Sequence, residues 1–265
     1  MYDFTYHRPG STREAQDLAG KASEGRFLAG GMTLLPAMKL RLAQPSDLID
    51  LSQIKDLKGI SVSGSELRIN AMTTHAEVAG SPEVRKAIPA LAYLAGHIGD
   101  PQVRHRGTIG GSLANSDPAA DYPAAVLALN ATIHTSKRSI PADSFFKGLF
   151  ETALEPGELI TAVTFPIPQS AAYEKFPHPA SRYAVVGVFV ARTAERGVRV
   201  GVTGAGPCAF RATAFEQTLL KNFTADALKG VSIPAAGLNS DIHAGADYRA
   251  HLVGVLARRA VAAAA

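Results

Sequence analysis

Arg106-Gly107-Thr108-Ile109-Gly110-Gly111-Ser112-Leu113-Ala114-Asn115, followed by Ser116-Asp117-Pro118-Ala119-Ala120-Asp121, is the stretch on which the reading of this chain turns. A glycine pair sits just before a predicted helix start. Such a turn lets backbone N–H groups approach a ligand, and the helix N-terminus adds a field that favours an anion. The same arrangement stands 80 positions upstream, in Leu28-Ala29-Gly30-Gly31-Met32-Thr33-Leu34-Leu35-Pro36. Either pair alone reads as a tight turn. Together they suit two loops gripping one extended, phosphate-bearing ligand from two sides. Thr108, Ser112, Asn115 and Asp121 add short polar side chains that suit a polyol, while backbone amides suit a diphosphate. A sugar-alcohol diphosphate carrying an apolar ring is the chemical outline of a flavin dinucleotide.

Outward from the first pair, Arg26-Phe27-Leu28-Ala29 reads as a short strand. A helix over 33–42 follows, with Thr33 as its cap and Pro36 in its first turn. Ser11-Thr12-Arg13-Glu14 has capping-box spacing ahead of Ala15, Leu18 and Ala19 on one helical face. With a strand at Asp47-Leu48-Ile49-Asp50-Leu51, these make a compact β-α-β unit of the first 55 or so residues. Residues 59–64 and 66–71 alternate as a hairpin, and 74–78 and 82–96 are predicted helical, ending before Asp100-Pro101. Asp117-Pro118 supplies the cap and first position of a helix over 119–129. Strands are predicted over 131–136 and 159–165, and Pro166-Ile167-Pro168-Gln169 is the clearest linker, dividing 1–169 from 170–265. Beyond it, 183–191 and 198–203 pair around Glu195-Arg196-Gly197, and a helix covers 212–220. A last helix from Asp247 to about Ala260 places Tyr248, Leu252, Val255 and Leu256 on one face. Strands with helices to one side give a small α+β C-terminal domain.

Composition excludes several classes. A chain of 265 residues with 46% hydrophobic and 19% charged residues is ordinary for a globular protein. No apolar run approaches the roughly 20 residues that span a bilayer. The N-terminus lacks the apolar core of a signal peptide, so the cytoplasm is the expected location. The net charge of +4 comes from scattered lysines and arginines, which gives no support to nucleic-acid binding. Cys208 is the single cysteine, so this chain cannot itself carry a disulfide, a cysteine-ligated iron–sulfur cluster or a multi-cysteine zinc site. Gly201-Val202-Thr203-Gly204-Ala205-Gly206 has the order G-x-x-G-x-G rather than that of a dinucleotide fingerprint and reads as a turn. Arg104-His105-Arg106 suits a phosphate, a docked partner or a solvated loop.

Ala29-Gly30-Gly31-Met32-Thr33-Leu34-Leu35 and Gly107-Thr108-Ile109-Gly110-Gly111-Ser112-Leu113-Ala114-Asn115 resemble the two FAD-binding loops of the molybdenum hydroxylases, the xanthine dehydrogenase and aerobic carbon monoxide dehydrogenase family. The likeness extends over Asp100-Pro101-Gln102-Val103 to Pro123-Ala124-Ala125 and over Lys175-Phe176-Pro177-His178-Pro179-Ala180-Ser181-Arg182-Tyr183-Ala184. It reaches Asp241-Ile242-His243-Ala244 and Tyr248-Arg249-Ala250-His251-Leu252. The resemblance implies an α+β, two-lobed FAD-binding domain of the vanillyl-alcohol-oxidase-like (PCMH) type, with lobes of about 1–57 and 58–169, and a small C-terminal domain. It implies noncovalent FAD held by Ala29, Gly30, Gly31, Met32, Thr33, Leu34, Thr108, Ile109, Gly110, Gly111, Ser112, Asn115, Asp121 and Lys175, with Tyr183 beside the isoalloxazine ring. It also implies partners: a small subunit with [2Fe-2S] clusters and a large subunit with the molybdenum cofactor. Met32 departs from the family's pattern, which has a polar residue there. On this reading the chain is an oxidoreductase subunit that passes electrons from the clusters to an external acceptor, and none of its residues acts as an acid or base. A self-sufficient FAD oxidoreductase and a nucleotide-binding regulatory module are the competing readings.

Overall fold

The computed structural model describes residues 1–193 and 197–264. Its first sheet is parallel. β1 (Thr5–His7) and β2 (Gly25–Leu28) flank β3 (Asp47–Asp50). α1 (Thr12–Lys21) connects the outer two, with Ser11 Oγ accepting the Glu14 amide at 3.2 Å. α2 (Leu34–Lys39) is shorter than the predicted helix over 33–42, and Thr33 makes no side-chain cap bond. Arg41 takes a left-handed φ of 59°, and the amides of Arg41 and Leu42 return to the carbonyls of Met38 and Ala37. That pair of bonds closes the helix early.

The second sheet is antiparallel, in the order β4-β5-β10-β6-β7. Its strands are β4 (Ile60–Ser63), β5 (Glu66–Asn70), β6 (Thr132–Thr135), β7 (Ser139–Pro141) and, after the small hairpin β8 (Phe146–Gly148) and β9 (Glu151–Thr152), β10 (Ile160–Pro166). Six helices lie between β5 and β6: α3 (His75–Gly80), α4 (Pro82–Ala87), α5 (Pro89–Gly96), α6 (Pro101–Arg106), α7 (Ile109–Asn115) and α8 (Tyr122–Ala128). The single helix predicted over 82–96 breaks at Ile88, which the following proline drives out of helical conformation. α6 replaces a predicted loop, because Asp100 caps it through the Val103 amide at 2.8 Å. α8 starts three residues later than predicted. Asp117 spends its carboxylate on the Ala119 amide instead, at 2.9 Å.

The third sheet runs β11-β12-β13-β14: β11 (Ser170–Pro177), β12 (Ala184–Thr193), β13 (Gly197–Thr203) and β14 (Phe210–Arg211). The predicted hairpin pairs, although Glu195 and Arg196 of its turn lie outside the described residues. β12 is a continuous apolar run because both its faces are covered, one by α8 and the other by α10 (Ala246–Ala264). α9 (Thr213–Lys221) packs on β13. α10 outlasts its prediction and buries Leu252, Val253, Leu256, Ala257 and Ala260, while Tyr248 is exposed and Val255 half-buried. The short strands β1, β7, β8, β9 and β14, and the longer β11, were not predicted. The largest core joins the second sheet and its helices to Tyr173, Phe189, Ala191 and Ala209 of the C-terminal part. Among the described residues, no helix is long and apolar enough to cross a membrane.

Candidate functional site

β2 ends at Leu28 and the chain turns through Ala29–Thr33 into α2. Gly31 makes the turn with a φ of +75°, where a Cβ is penalised and would also stand 2.8 Å from Leu35. The carbonyls of Gly31 and Thr33 accept the amides of Leu35 and Ala37, both at 3.1 Å. The amides of Gly30, Gly31, Met32, Thr33 and Leu34 donate to no acceptor among the described residues. Five successive open N–H groups around a left-handed residue form a nest, the backbone geometry that holds phosphate oxygens.

The second pair is built differently. Gly110 and Gly111 lie inside the first turn of α7, not ahead of it. Thr108 is the cap and its Oγ1 accepts the Gly111 amide at 3.1 Å. The amides of Ile109, Gly110 and Ser112 donate to Thr73, Ala71 and Thr108 carbonyls at 3.1, 2.8 and 3.0 Å. Glycine is needed here for closeness, since a Cβ on Gly110 would stand 2.6 Å from that of Ala71. What this loop turns outward is side chains. Ser112 and Asn115 are half-buried, and their side chains have no hydrogen-bond partner among the described residues. The two pairs also meet. A Cβ on Gly30 would fall on the Arg106 carbonyl, and one on Gly111 would touch the Ala29 Cβ at 3.3 Å.

α7 leads from this junction to a loop seated on the C-terminal sheet. Ser116 ends the helix with a φ of 46°. The Pro118 carbonyl accepts the Gly204 amide at 2.7 Å and the Thr203 hydroxyl at 3.0 Å. The Ala120 carbonyl accepts the same hydroxyl at 2.6 Å, and that of Ala119 accepts the Ala184 amide at 3.4 Å. Asp121 follows, buried, with the Lys175 ammonium at 2.8 Å and the Tyr173 hydroxyl donating at 2.6 Å. Burial pushes this carboxyl above the usual carboxylate range, and Lys175 and Tyr173 pull against that shift. Lys175 also donates to the His97 carbonyl at 3.0 Å. Asp121 and Lys175, both predicted as ligand-binding residues, are therefore each other's partner. Tyr183 stands 49% exposed beside them, its hydroxyl pushed up by burial and by the charges of Asp117 and Asp121.

Several contributors had no signal in the sequence. Thr203 reads there as an ordinary strand residue, and Tyr173 falls in no predicted element. His75 is buried beneath the second loop, its amide donating to the Gly107 carbonyl at 2.9 Å. Its Nδ1 and the Tyr122 hydroxyl, on rings 5.4 Å apart, are buried without a partner among the described residues. Burial, reinforced by the Arg104 charge, holds the His75 imidazole down to about 4. Arg104, a phosphate or partner candidate, instead donates to the carbonyls of Ile98 and Gly99 at 2.9 and 3.1 Å. Cys208 is a half-buried free thiol that burial pushes up.

Residues 2–168 match the model of the FAD binding domain in molybdopterin dehydrogenase. The chain is 37% identical to the carbon monoxide dehydrogenase medium chain of Hydrogenophaga pseudoflava, over 98% of this chain and 96% of that one. It is also 37% identical to the nicotine 6-hydroxylase medium subunit of Paenarthrobacter nicotinovorans, over 97% and 95% respectively. Among solved structures, a carbon monoxide dehydrogenase chain from Hydrogenophaga pseudoflava superposes with a TM-score of 0.90 at 38% identity, covering 99% of this chain and 97% of that one.

Proposed function

The chain belongs to the family of the FAD binding domain in molybdopterin dehydrogenase, an oxidoreductase family, and from that premise we propose that it is the electron-transfer subunit of a three-part complex. It has the mixed α+β fold with a PCMH-type FAD-binding domain and the medium-subunit character of its relatives. The partners are a small iron–sulfur subunit and a large molybdenum subunit, and the complex works in the cytoplasm. In that role the chain would hold the FAD through which electrons pass from the [2Fe-2S] clusters to an external acceptor. The units are a lobe over about 1–57, a lobe over 58–169 and a C-terminal domain over 170–265.

The open amides of Gly30 to Leu34 carry this reading, because successive unpaired N–H groups fit a diphosphate, and the turn that presents them leaves no room for a side chain at Gly30 or Gly31. Thr108, Ile109, Gly110 and Gly111 hold the nest's second wall, and Ala29 fixes its inner edge. Ser112 and Asn115 offer the unpartnered polar groups a ribityl chain needs. Asp121 and Lys175 would fix the floor, and Tyr183 would be the side chain beside the ring. FAD, when bound, supplies the redox chemistry; the protein binds it, orients it and tunes it. The two relatives share one level of identity with this chain yet are named for carbon monoxide and nicotine, so the substrate is chosen elsewhere in the complex.

The test is purification of the chain with its co-expressed partners. We expect flavin absorbance released on denaturation, together with iron and molybdenum in the co-purifying chains. A chain that oxidises an organic substrate alone would establish the self-sufficient reading in its place.

A further inference from the structure

Between β11 and β12 the chain reverses through 179–182, a loop whose residues are all exposed. Its order comes from one half-buried side chain at its start. His178 Nδ1 accepts two backbone amides, from Ala180 at 3.2 Å and from Ser181 at 3.1 Å. The same residue's main chain closes the loop. Its amide donates to the Tyr183 carbonyl and its carbonyl accepts the Arg182 amide, both at 2.8 Å. Arg182 crosses the reversal with a left-handed φ of 61°. Four hydrogen bonds thus converge on residue 178, and two of them need an imidazole nitrogen with a free lone pair. A nitrogen that accepts carries no proton, so the ring of His178 is held with its hydrogen on Nε2.

The ring is braced from the far side. His243 packs edge-on against it, with ring centroids 4.5 Å apart. Asp241 Oδ1 fixes the His243 turn by accepting the amides of His243 and Ala244 at 2.9 and 3.1 Å. Asp241 Oδ2 accepts from Arg249 at 2.7 Å, and buried Arg249 also donates to the carbonyls of Val185 and Gly204 at 2.6 and 2.9 Å. Val185 follows Tyr183 by two residues and Gly204 donates to Pro118. The tail of the chain therefore grips the loop at both of its ends, through His243 against His178 and through Arg249 on Val185.

We propose that His178 is a positioning residue. Its acceptor Nδ1 sets the conformation of the 178–183 loop and thereby holds Tyr183 at the ring end of the flavin. The placement of Tyr183 by the flavin rests on the function proposed above; the role of His178 in the loop does not.

The experiment compares His178→Asn, His178→Leu, His178→Ala and Tyr183→Leu in the full chain purified with its partners. Asparagine keeps an acceptor near the position of Nδ1, whereas leucine and alanine remove it. Amide hydrogen exchange at Ala180 and Ser181 reads the loop, and the shape of the visible flavin bands reads the flavin end. We expect exchange at both amides to quicken about tenfold in the Leu and Ala variants, since two hydrogen bonds are lost, and to stay near wild type in Asn. We expect the flavin bands to shift alike in His178→Leu, His178→Ala and Tyr183→Leu, with Asn restoring the native spectrum. Alanine is read beside leucine so that a fold disturbed by bulk does not decide the result. Unchanged exchange in the Leu and Ala variants overturns the proposal. So does a spectrum that moves with Tyr183→Leu but not with His178→Ala. An unchanged spectrum in Tyr183→Leu removes the flavin half together with the reading it rests on, and the exchange arm still judges the loop.

Discussion

From Gly30 to Leu34 the chain leaves its amides open, whereas from Ile109 to Ser112 it has already used every one. The letters Gly-Gly are the same in both places. At Gly31 the missing side chain grants a left-handed φ, and the result is a row of open donors. At Gly110 it grants contact with Ala71, and the reward is a helix start seated against the second sheet. One pair leaves its backbone donors open; the other spends them on its own fold. A glycine pair thus marks where backbone must come close to something, and only the hydrogen-bond inventory tells whether that something is foreign.

The sharpest way to break this comparison is at the point where the two pairs meet. Gly30→Val drives a side chain into the Arg106 carbonyl, which is backbone and cannot swing aside. We expect a loss of about 3 kcal/mol or more in denaturant titrations, together with loss of bound flavin. Full flavin retention would show that the loops work apart. The second wall has a pH signature that the first lacks. His75 stays neutral in the fold down to about pH 4, while in the unfolded chain it titrates near 6.5. As the pH falls from 6.5 to 4 the unfolded state takes up a proton that the folded state refuses. Stability present above pH 6.5 is therefore lost through that window, on the order of 3 kcal/mol by its lower end. His75→Gln should flatten this slope; an unaltered slope assigns it to other groups. The smallest effects separate the two roles. Gly110→Ala should cost about 2 kcal/mol of stability and change flavin affinity little. Gly31→Ala should cost about 1 to 2 kcal/mol through strain, with flavin affinity falling about tenfold. Titration of FAD beside chemical denaturation checks both, and the reverse pattern would exchange the roles of the pairs.

Elements set by local chemistry were legible in the sequence. The Ser11 cap, the 59–71 hairpin, the β12–β13 pair and α9 each follow from residues within one element or its turn. So did the two loops, because glycine pairs are conspicuous and their surroundings resemble a known family. What escaped was fixed by distant partners. Phe210–Arg211 is a strand only because β13 offers it a ladder. Asp117 looked like a helix cap, yet the carbonyls after it are claimed by Thr203 and Gly204, so the helix waits until Tyr122. Asp121 and Lys175 were picked as separate ligands although they form one buried pair, and no local pattern announces a pair 54 positions apart. The second glycine pair lies inside its helix rather than ahead of it for a related cause: the acceptors of its amides, Ala71 and Thr73, lie more than 30 positions upstream.

The bonds from Thr203, Gly204 and Ala184 to the carbonyls of Pro118, Ala119 and Ala120 bear on how the protein is made. Synthesis delivers the chain from its N-terminus, and folding units form as they emerge. When residue 168 leaves the ribosome, everything that matches the FAD-binding family model has been released. The three carbonyls still lack their donors, and Asp121 still lacks Tyr173 and Lys175. The nest at Gly30 to Leu34 is encoded first, but the loop at the far end of α7 matures only after β13 has been made. On the function proposed above, the order of translation thereby becomes an order of assembly for the site, with the phosphate end completed before the ring end.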